Sequence, residues 1–262
     1  MEALKYLIRN SVKESYIIDL LDNIDKIDKI DKIDKSLIYA CEYRKEIVAL
    51  KLIELFGEKC GPDFVSKTGN TPLLWCCYHD LESIAEKIID VFPDKCNIDI
   101  VDKDYNSTIL IYACENMTEE KIALKIINTF DIKCKPGYID KLGNTALIYA
   151  CNYKKTNIAI KLLENFDSDC NPKQINKAGK TALMLATENK MLDVVNKLQY
   201  YNIKKIYNID EKKCSICISD FFKNRIMLSC GHSCYCIDCS IGLKKCAICN
   251  ETIIDRYELI ER

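Results

Sequence analysis

Gly143-Asn144-Thr145-Ala146-Leu147-Ile148-Tyr149-Ala150-Cys151 decides the fold, because its last seven residues have four counterparts along the chain. They are Lys35-Ser36-Leu37-Ile38-Tyr39-Ala40-Cys41, Thr71-Pro72-Leu73-Leu74-Trp75-Cys76-Cys77, Thr108-Ile109-Leu110-Ile111-Tyr112-Ala113-Cys114 and Thr181-Ala182-Leu183-Met184-Leu185-Ala186-Thr187. From Lys35 through Thr71, Thr108 and Thr145 to Thr181 the pitches are 36, 37, 37 and 36 residues. A fixed period of this size is the mark of a solenoid, in which each unit buries its apolar face only against its neighbours. Each copy continues into a second apolar helix, such as Val48-Ala49-Leu50-Lys51-Leu52-Ile53 or Ile158-Ala159-Ile160-Lys161-Leu162-Leu163.

The chemistry of the unit fits a turn followed by a helix start. The Thr side chain can accept a hydrogen bond from the first helical turn. Pro72 is tolerated at the first helical position, and Gly69, Gly143 and Gly179 supply the positive φ of the preceding turn. The unit resembles the ankyrin repeat, best at Gly69-Asn70-Thr71-Pro72-Leu73, Gly143-Asn144-Thr145-Ala146-Leu147 and Gly179-Lys180-Thr181-Ala182-Leu183. Three departures stand out. The family's His after Pro-Leu is replaced by Leu74, Ile111, Ile148 and Met184, so its turn-linking hydrogen bonds are expected to be lost. The Gly between the two helices is Arg44, Asp80, Lys154 and Lys190. The added length falls around Lys95-Cys96-Asn97 and Lys133-Cys134-Lys135 and predicts longer connecting loops.

Residues 1–34 are expected to hold a capping unit and a connector. Leu4, Leu7 and Ile8, then Ile17, Leu20 and Leu21, fall at helical spacing. Ile24-Asp25-Lys26 is then copied four times through Lys35, a charge-balanced low-complexity segment that reads either as a solvated connector or as a charged helical extension. About five repeats are expected over 35–200 and a linker over 201–213.

The resemblance implies a protein partner on the turn tips and inner-helix ends. Tyr43, Tyr78, His79, Asn152 and Tyr153 are the candidate contacts in that column, beside Glu42, Glu115, Asn116, Glu188 and Asn189. Aromatic residues dominate binding hot spots; the competing reading is a solvated helix end. Tyr39, Trp75, Tyr112 and Tyr149 stand one turn earlier, where packing between inner helices is expected. His79 has no nucleophile beside it in the pattern.

The tail carries Cys214-x2-Cys217-x12-Cys230-x-His232-x3-Cys236-x2-Cys239-x6-Cys246-x2-Cys249. Structural zinc is tetrahedral with Cys and His ligands, so eight ligands fill two closed sites and leave no open position for chemistry. Cys234 breaks the spacing and is read as a thiol outside the set. Sequential pairing of neighbouring knuckles and other zinc topologies are compatible with the spacing. Over residues 211–262 the pattern resembles the RING finger. That resemblance implies interleaved pairing: Cys214, Cys217, Cys236 and Cys239 on one Zn2+, and Cys230, His232, Cys246 and Cys249 on the other. It also implies a shallow groove for an E2 ubiquitin-conjugating enzyme, with Ile216 as the main apolar contact and Leu243, Ala247, Ile248 and Asn250 around it. The competing reading of Ile216 is a buried filler.

The family often has Pro where Ala247 stands, and active members often carry Arg or Lys where Asn250 stands. The Cys-Gly-His step and the short tail look most like the RINGs that end inhibitor-of-apoptosis proteins, whose tails pair across a dimer. The alternation in Thr252-Ile253-Ile254 and Tyr257-Glu258-Leu259-Ile260 suits such a strand. The whole arrangement resembles ankyrin and RING proteins of large DNA viruses of protists, which would place the protein in host cytoplasm. The fold expected is mainly α: an ankyrin-repeat solenoid followed by a small zinc-stabilised RING domain at 214–250 and a tail at 251–262.

Composition narrows the function classes. With 38 basic and 39 acidic residues the net charge is −1, no footprint for nucleic acid or an anionic membrane. Seven thiolates on two Zn2+ would add about three negative charges to the tail. Seventeen cysteines would suit a disulfide framework in a small secreted protein. Here, however, Met1-Glu2-Ala3-Leu4-Lys5 leads into a charged amphipathic stretch, and no apolar run reaches membrane-span length, so a reducing cytoplasm is expected. Cys41, Cys77, Cys114 and Cys151, and Cys60, Cys96, Cys134 and Cys170, recur in register with the repeat and read as small core residues. Two function classes follow from the two resemblances: an E3 ubiquitin ligase whose repeats select substrate, or a non-catalytic adaptor in which zinc only stabilises an interaction module.

Overall fold

The computed structural model describes residues 2–10, 12–23, 33, 35–207, 224–228, 235–241, 243–245, 252–254 and 256–260. Within it the chain forms two compact units, Met1–Lys190 and Met191–Arg262. The Ile-Asp-Lys copies ahead of Ile33 lie outside the described residues.

The first unit is a stack of helix pairs. The leading pair is α1 (Glu2–Arg9) and α2 (Glu14–Asp22), with Ile8, Ile17 and Leu21 buried. The pairs that follow are α3 (Ser36–Glu42) with α4 (Glu46–Phe56), α5 (Pro72–His79) with α6 (Glu82–Val91), α7 (Ile109–Glu115) with α8 (Lys121–Phe130), and α9 (Ala146–Asn152) with α10 (Thr156–Phe166). The inner helix α11 (Ala182–Glu188) ends the unit. Inner helices pack in succession, α3 on α5, α5 on α7, α7 on α9 and α9 on α11, while α4, α6, α8 and α10 form the outer layer. The core lies between the layers. Leu37, Leu73, Leu110 and Leu147 repeat the same inward position and are all fully buried, each contributing about 1.5–3 kcal/mol over exposure.

Helix starts follow the sequence. Thr71, Thr108, Thr145 and Thr181 accept hydrogen bonds from the N–H groups of Leu74, Ile111, Ile148 and Met184 at 3.1–3.3 Å. Gly69, Gly143 and Gly179 hold φ of 85°, 82° and 74°. The non-glycine substitutes between the helices keep the left-handed geometry, with φ of 56° at Arg44 and 59° at Asp80, Lys154 and Lys190.

The added length is not used as loop. It folds as 3-10 turns at Gly57–Cys60, Pro93–Lys95, Asp131–Cys134 and Asp167–Cys170. Cys60, Cys96, Cys134 and Cys170 close these turns as buried plugs. The thiols of Cys60, Cys96 and Cys170 donate to the carbonyls of Gly57, Phe92 and Asp167. A small apolar side chain with a weak donor suits a site that must fill space and satisfy a turn carbonyl together.

The second unit opens with α12 (Leu192–Tyr207). The helix runs through 201–207, residues read from sequence as the start of a linker, because neither Gly nor Pro interrupts it. Strands β1 (Asn224–Leu228), β2 (Tyr235–Cys236) and β3 (Arg256–Ile260) form an antiparallel sheet in the order β2-β1-β3. In the tail, β3 pairs with β1 of its own chain, from Asn224 opposite Ile260 to Leu228 opposite Arg256. Helix α13 (Ile237–Ile241) follows β2 directly. No helix among the described residues is long and apolar enough to cross a membrane.

Candidate partner groove and candidate metal centre

The turn tips of the third and fourth repeats are built around two carboxylates. Asp102 accepts from the N–H groups of Asp104, Tyr105 and Ser107 at 2.7–2.8 Å and from the Tyr112 hydroxyl at 3.1 Å. Asp140 accepts from the N–H groups of Leu142 and Asn144 at 2.8 Å and from the Tyr149 hydroxyl at 2.8 Å. The links between turn and inner helix, expected to be lost with the family's His, are therefore made in these repeats by tyrosine hydroxyls one residue further along. Neither aspartate was singled out from sequence. The signal was an acidic residue five or six positions before the capping Thr, blurred because Tyr105-Asn106-Ser107 stretches the third tip by a residue.

Successive tips are chained by backbone hydrogen bonds from Lys103 N–H to Thr68 O, Lys141 N–H to Tyr105 O and Lys177 N–H to Leu142 O, at 2.8–3.2 Å. Between the third and fourth tips and their inner helices lies a groove of about 540 Å3. Tyr112 and Tyr149, 4% and 6% exposed, are the core residues expected, and they also form its floor. Tyr78, 39% exposed, flanks it with its ring edge-on to Tyr112 at 5.5 Å. Glu115 lies between these rings and the Asp140 tip, half-buried. Burial, and after it the Asp140 charge, push the Glu115 carboxyl above the ordinary carboxylate range, against the opposing pull of a Tyr149 hydrogen bond and the Lys155 charge.

Of the candidate partner residues, the structure groups Tyr78 and His79 with Trp75. His79 stacks on the indole at 5.3 Å, and burial followed by the Arg44 charge lowers its pKa. Tyr153 is exposed and stacks on Tyr149 at 6.3 Å, and Asn152 beside it is exposed. Tyr43 is the half-buried C-cap of α3.

In the second unit, Cys236 and Cys239 are the two candidate metal ligands among the described residues. Cys236 is the last residue of β2 and Cys239 lies in the first turn of α13. Cys214, Cys217, Cys230, His232, Cys246 and Cys249 lie outside the described residues, as do Ile216, Ala247, Ile248 and Asn250. Leu243 is half-buried just after α13, and its N–H donates to Ser240 O at 3.2 Å.

A stack of capped helix pairs with chained tips, followed by a cysteine-rich unit with a small antiparallel sheet, defines a partner-binding repeat protein joined to a metal-binding module. The sequence matches the family model of ankyrin repeats (3 copies) over residues 37–135 and 123–209. Residues 210–256 match the zinc finger, C3HC4 type (RING finger). The chain belongs to the ankyrin-repeat family and carries a RING finger, a zinc-binding fold, C-terminal to the repeats. No curated protein matches the sequence. Among solved structures, the fold is similar to a chain in the Bd0816 predatory endopeptidase from Bdellovibrio bacteriovorus in complex with immunity protein Bd3460. The likeness has a TM-score of 0.54 and 22% identity over 76% of this chain and 97% of that one, and it speaks to the fold alone.

Proposed function

We propose that the protein is a RING-type E3 ubiquitin ligase whose ankyrin repeats bind the substrate and whose RING recruits a ubiquitin-charged E2. The observation that carries this reading is the RING match over 210–256 directly behind the ankyrin-repeat match, which ends at 209. Cys214, Cys217, Cys236 and Cys239 would hold one Zn2+, and Cys230, His232, Cys246 and Cys249 the other. The metal supplies a folded scaffold. On this reading the RING forms no covalent intermediate of its own, and its chemistry is to hold the E2 thioester near a substrate amine, a matter of positioning and electrostatics. Ile216 would be the main apolar E2 contact, with Leu243, Ala247 and Ile248 beside it. A second copy joining through the RING and its tail would be compatible with an edge strand at β3. The thiol-filled repeat core suits a reducing, cytoplasm-like compartment.

The test is a reconstituted reaction of E1, a panel of E2s, ubiquitin and the full chain, compared with Ile216→Ala. Ubiquitin chains that disappear in the variant support the ligase. No chain formation with any E2 sinks it and leaves the second reading, a non-catalytic zinc-stabilised adaptor. One observation favours that alternative: Asn250 brings no charge to the position after the last ligand, where a cation would bridge E2 and ubiquitin.

A further inference from the structure

From the groove between the third and fourth repeats we infer that the protein recognises an arginine side chain on its protein partner, a conclusion that rests on the reading of the repeats as the partner-binding element. The groove combines tyrosine rings with carboxylates, of which Glu115 and Asp104 have no ion-pair partner among the described residues. Its floor is Tyr112 and Tyr149, its wall Tyr78, and its carboxylates are Glu115, Asp104 and Asp140.

The groups already committed can be subtracted. Both Asp140 oxygens are occupied by Leu142, Asn144 and Tyr149. The cation in the lining, Lys141, directs its ammonium at the carbonyls of Lys103 and Asp104. Among the described residues no Lys or Arg forms an ion pair with Glu115 or Asp104. Glu115 is therefore a half-buried carboxylate with a second carboxylate nearby and no cation on it. Such a group is partly desolvated with no ion-pair partner of its own, and a cation from outside relieves it.

The shape favours guanidinium over ammonium. A planar, weakly hydrated cation lies against tyrosine faces and still presents paired N–H donors to a carboxylate, whereas ammonium is a compact, strongly hydrated point charge. The volume falls in the range of about 300–1,000 Å3 that encloses a ligand rather than glancing off it, enough for the side chain and its backbone. The same charge balance disfavours a phosphate backbone, so the occupant is a protein segment and not a nucleic acid.

The test uses the full chain on an array of random-sequence 12-residue peptides bearing a fixed central arginine, lysine, citrulline or glutamate. Trp75 is the chain's sole tryptophan and lies 5.5 Å from Tyr78, so its fluorescence reports titration of the peptides selected. Arginine peptides should bind best, lysine peptides less, and citrulline peptides about tenfold or more weakly, since citrulline keeps the shape and loses the charge. Glu115→Gln should abolish the preference for arginine over citrulline while leaving thermal unfolding unchanged, and Tyr78→Phe should keep it.

Equal binding of citrulline and arginine, or a preference that survives Glu115→Gln, would overturn the inference while leaving a partner-binding array intact. Displacement by spermidine at matched charge would also overturn it, since the site would then accept any cation. No binding by any peptide, with the chain folded, would overturn both this inference and the reading of the repeats as a peptide-binding surface. Ligase activity towards free ubiquitin is a separate readout that none of these outcomes moves.

Discussion

The ammonium of Lys155 lies 2.6 Å from the carbonyl oxygen of Met117, one repeat earlier in the stack. It also meets the carbonyl of Cys114 at 2.8 Å and that of Ala113 at 3.4 Å, and the residue is only 6% exposed. Helix α7 ends at Glu115 without the left-handed turn used in its neighbours, because Asn116-Met117-Thr118 lengthens the connection. Its last carbonyls would be orphaned, and the lysine of the next repeat caps them. Burial lowers the Lys155 pKa, while the surrounding acids and thiols oppose that shift.

Lys155→Met keeps the apolar stem and removes the three donors. Hydrogen bonds from a charged group are worth about 1.5–3 kcal/mol, and buried acceptors stripped of partners cost more. Urea unfolding should show a loss of about 2–4 kcal/mol. A loss under half a kcal/mol would mean that water replaces the cap.

The thiol core makes the array alkali-sensitive. Burial pushes Cys60, Cys96, Cys114, Cys134, Cys151 and Cys170 up to about 12 from an ordinary 9.0. Below pH 9 both folded and unfolded chains keep these protons, and the full stability is present. Between 9 and 12 the unfolded chain releases protons that the folded chain retains, so stability falls as pH rises. Each thiol forfeits about 1.4 kcal/mol per pH unit in that window. Six together match a domain's typical net stability of about 5–15 kcal/mol within one to two units. Melting temperature should hold from pH 7 to about 8.5 and then fall steeply, less steeply in Cys134→Ala/Cys170→Ala. A flat profile to pH 10.5 would show that the thiols are hydrated in the native state.

How far the residues announced this fold differs from place to place. The capping threonines and turn glycines were legible because their roles depend on backbone geometry within four residues. The cysteine columns were legible as core because they recur with the period. Asp102 and Asp140 were missed, since the tip of the third repeat slips by one residue. The Tyr112 and Tyr149 links were missed because a hydroxyl reaching back nine or ten residues leaves no local pattern. Lys155 was invisible for a deeper reason: its partners are 38 to 42 residues away, and only the stacking brings them together. The groove has the same origin, assembled from two tips and three inner helices.

Strain in the turns between helices can be relieved one residue at a time. Lys154 holds φ at 59°, and its side chain is exposed. A left-handed conformation costs a side chain with a Cβ about 1–2 kcal/mol, a penalty glycine escapes. After the entropy that glycine adds to the unfolded chain, Lys154→Gly should be more stable by about 0.5–1 kcal/mol. Calorimetry would register this as a rise in Tm of about 1–4 °C for an array of this size. An unchanged or lower Tm would show that the lysine makes a contact worth as much as the strain.

The opposite case is Gly137, where space and not backbone angle is limiting. A Cβ there would stand 2.1 Å from the carbonyl oxygen of Asp169, in the 3-10 turn of the next repeat. Backbone cannot swing aside as a side-chain tip can. Gly137→Ala should therefore destabilise by about 1–3 kcal/mol or more, with increased hydrogen exchange at residues 135–138 and 167–171. Exchange unchanged at the 3-10 turn would mean that the repeats slide apart at no cost.

The proposed metal centre can be tested by a pairing experiment, because Cys236 and Cys239 straddle the junction of β2 and α13 and both pairing schemes put them on the same ion. Which other pair completes that tetrahedron separates the interleaved arrangement from the sequential one. Interleaved pairing joins Cys236 and Cys239 with Cys214 and Cys217, giving one all-thiolate ion and one with three thiolates and His232. Sequential pairing joins Cys214 and Cys217 with Cys230 and His232, leaving Cys236, Cys239, Cys246 and Cys249 on the other ion. Ligand composition is the same in both cases, so two cadmium resonances alone do not decide. Their scalar couplings do: the cadmium coupled to the Cys236 and Cys239 β-protons should also couple to those of Cys214 and Cys217. Native mass spectrometry should count two zinc ions per chain. Coupling to Cys246 and Cys249 instead would favour two successive knuckles over interleaved pairing, and the E2 groove proposed around Ile216 and Leu243 would lose its basis.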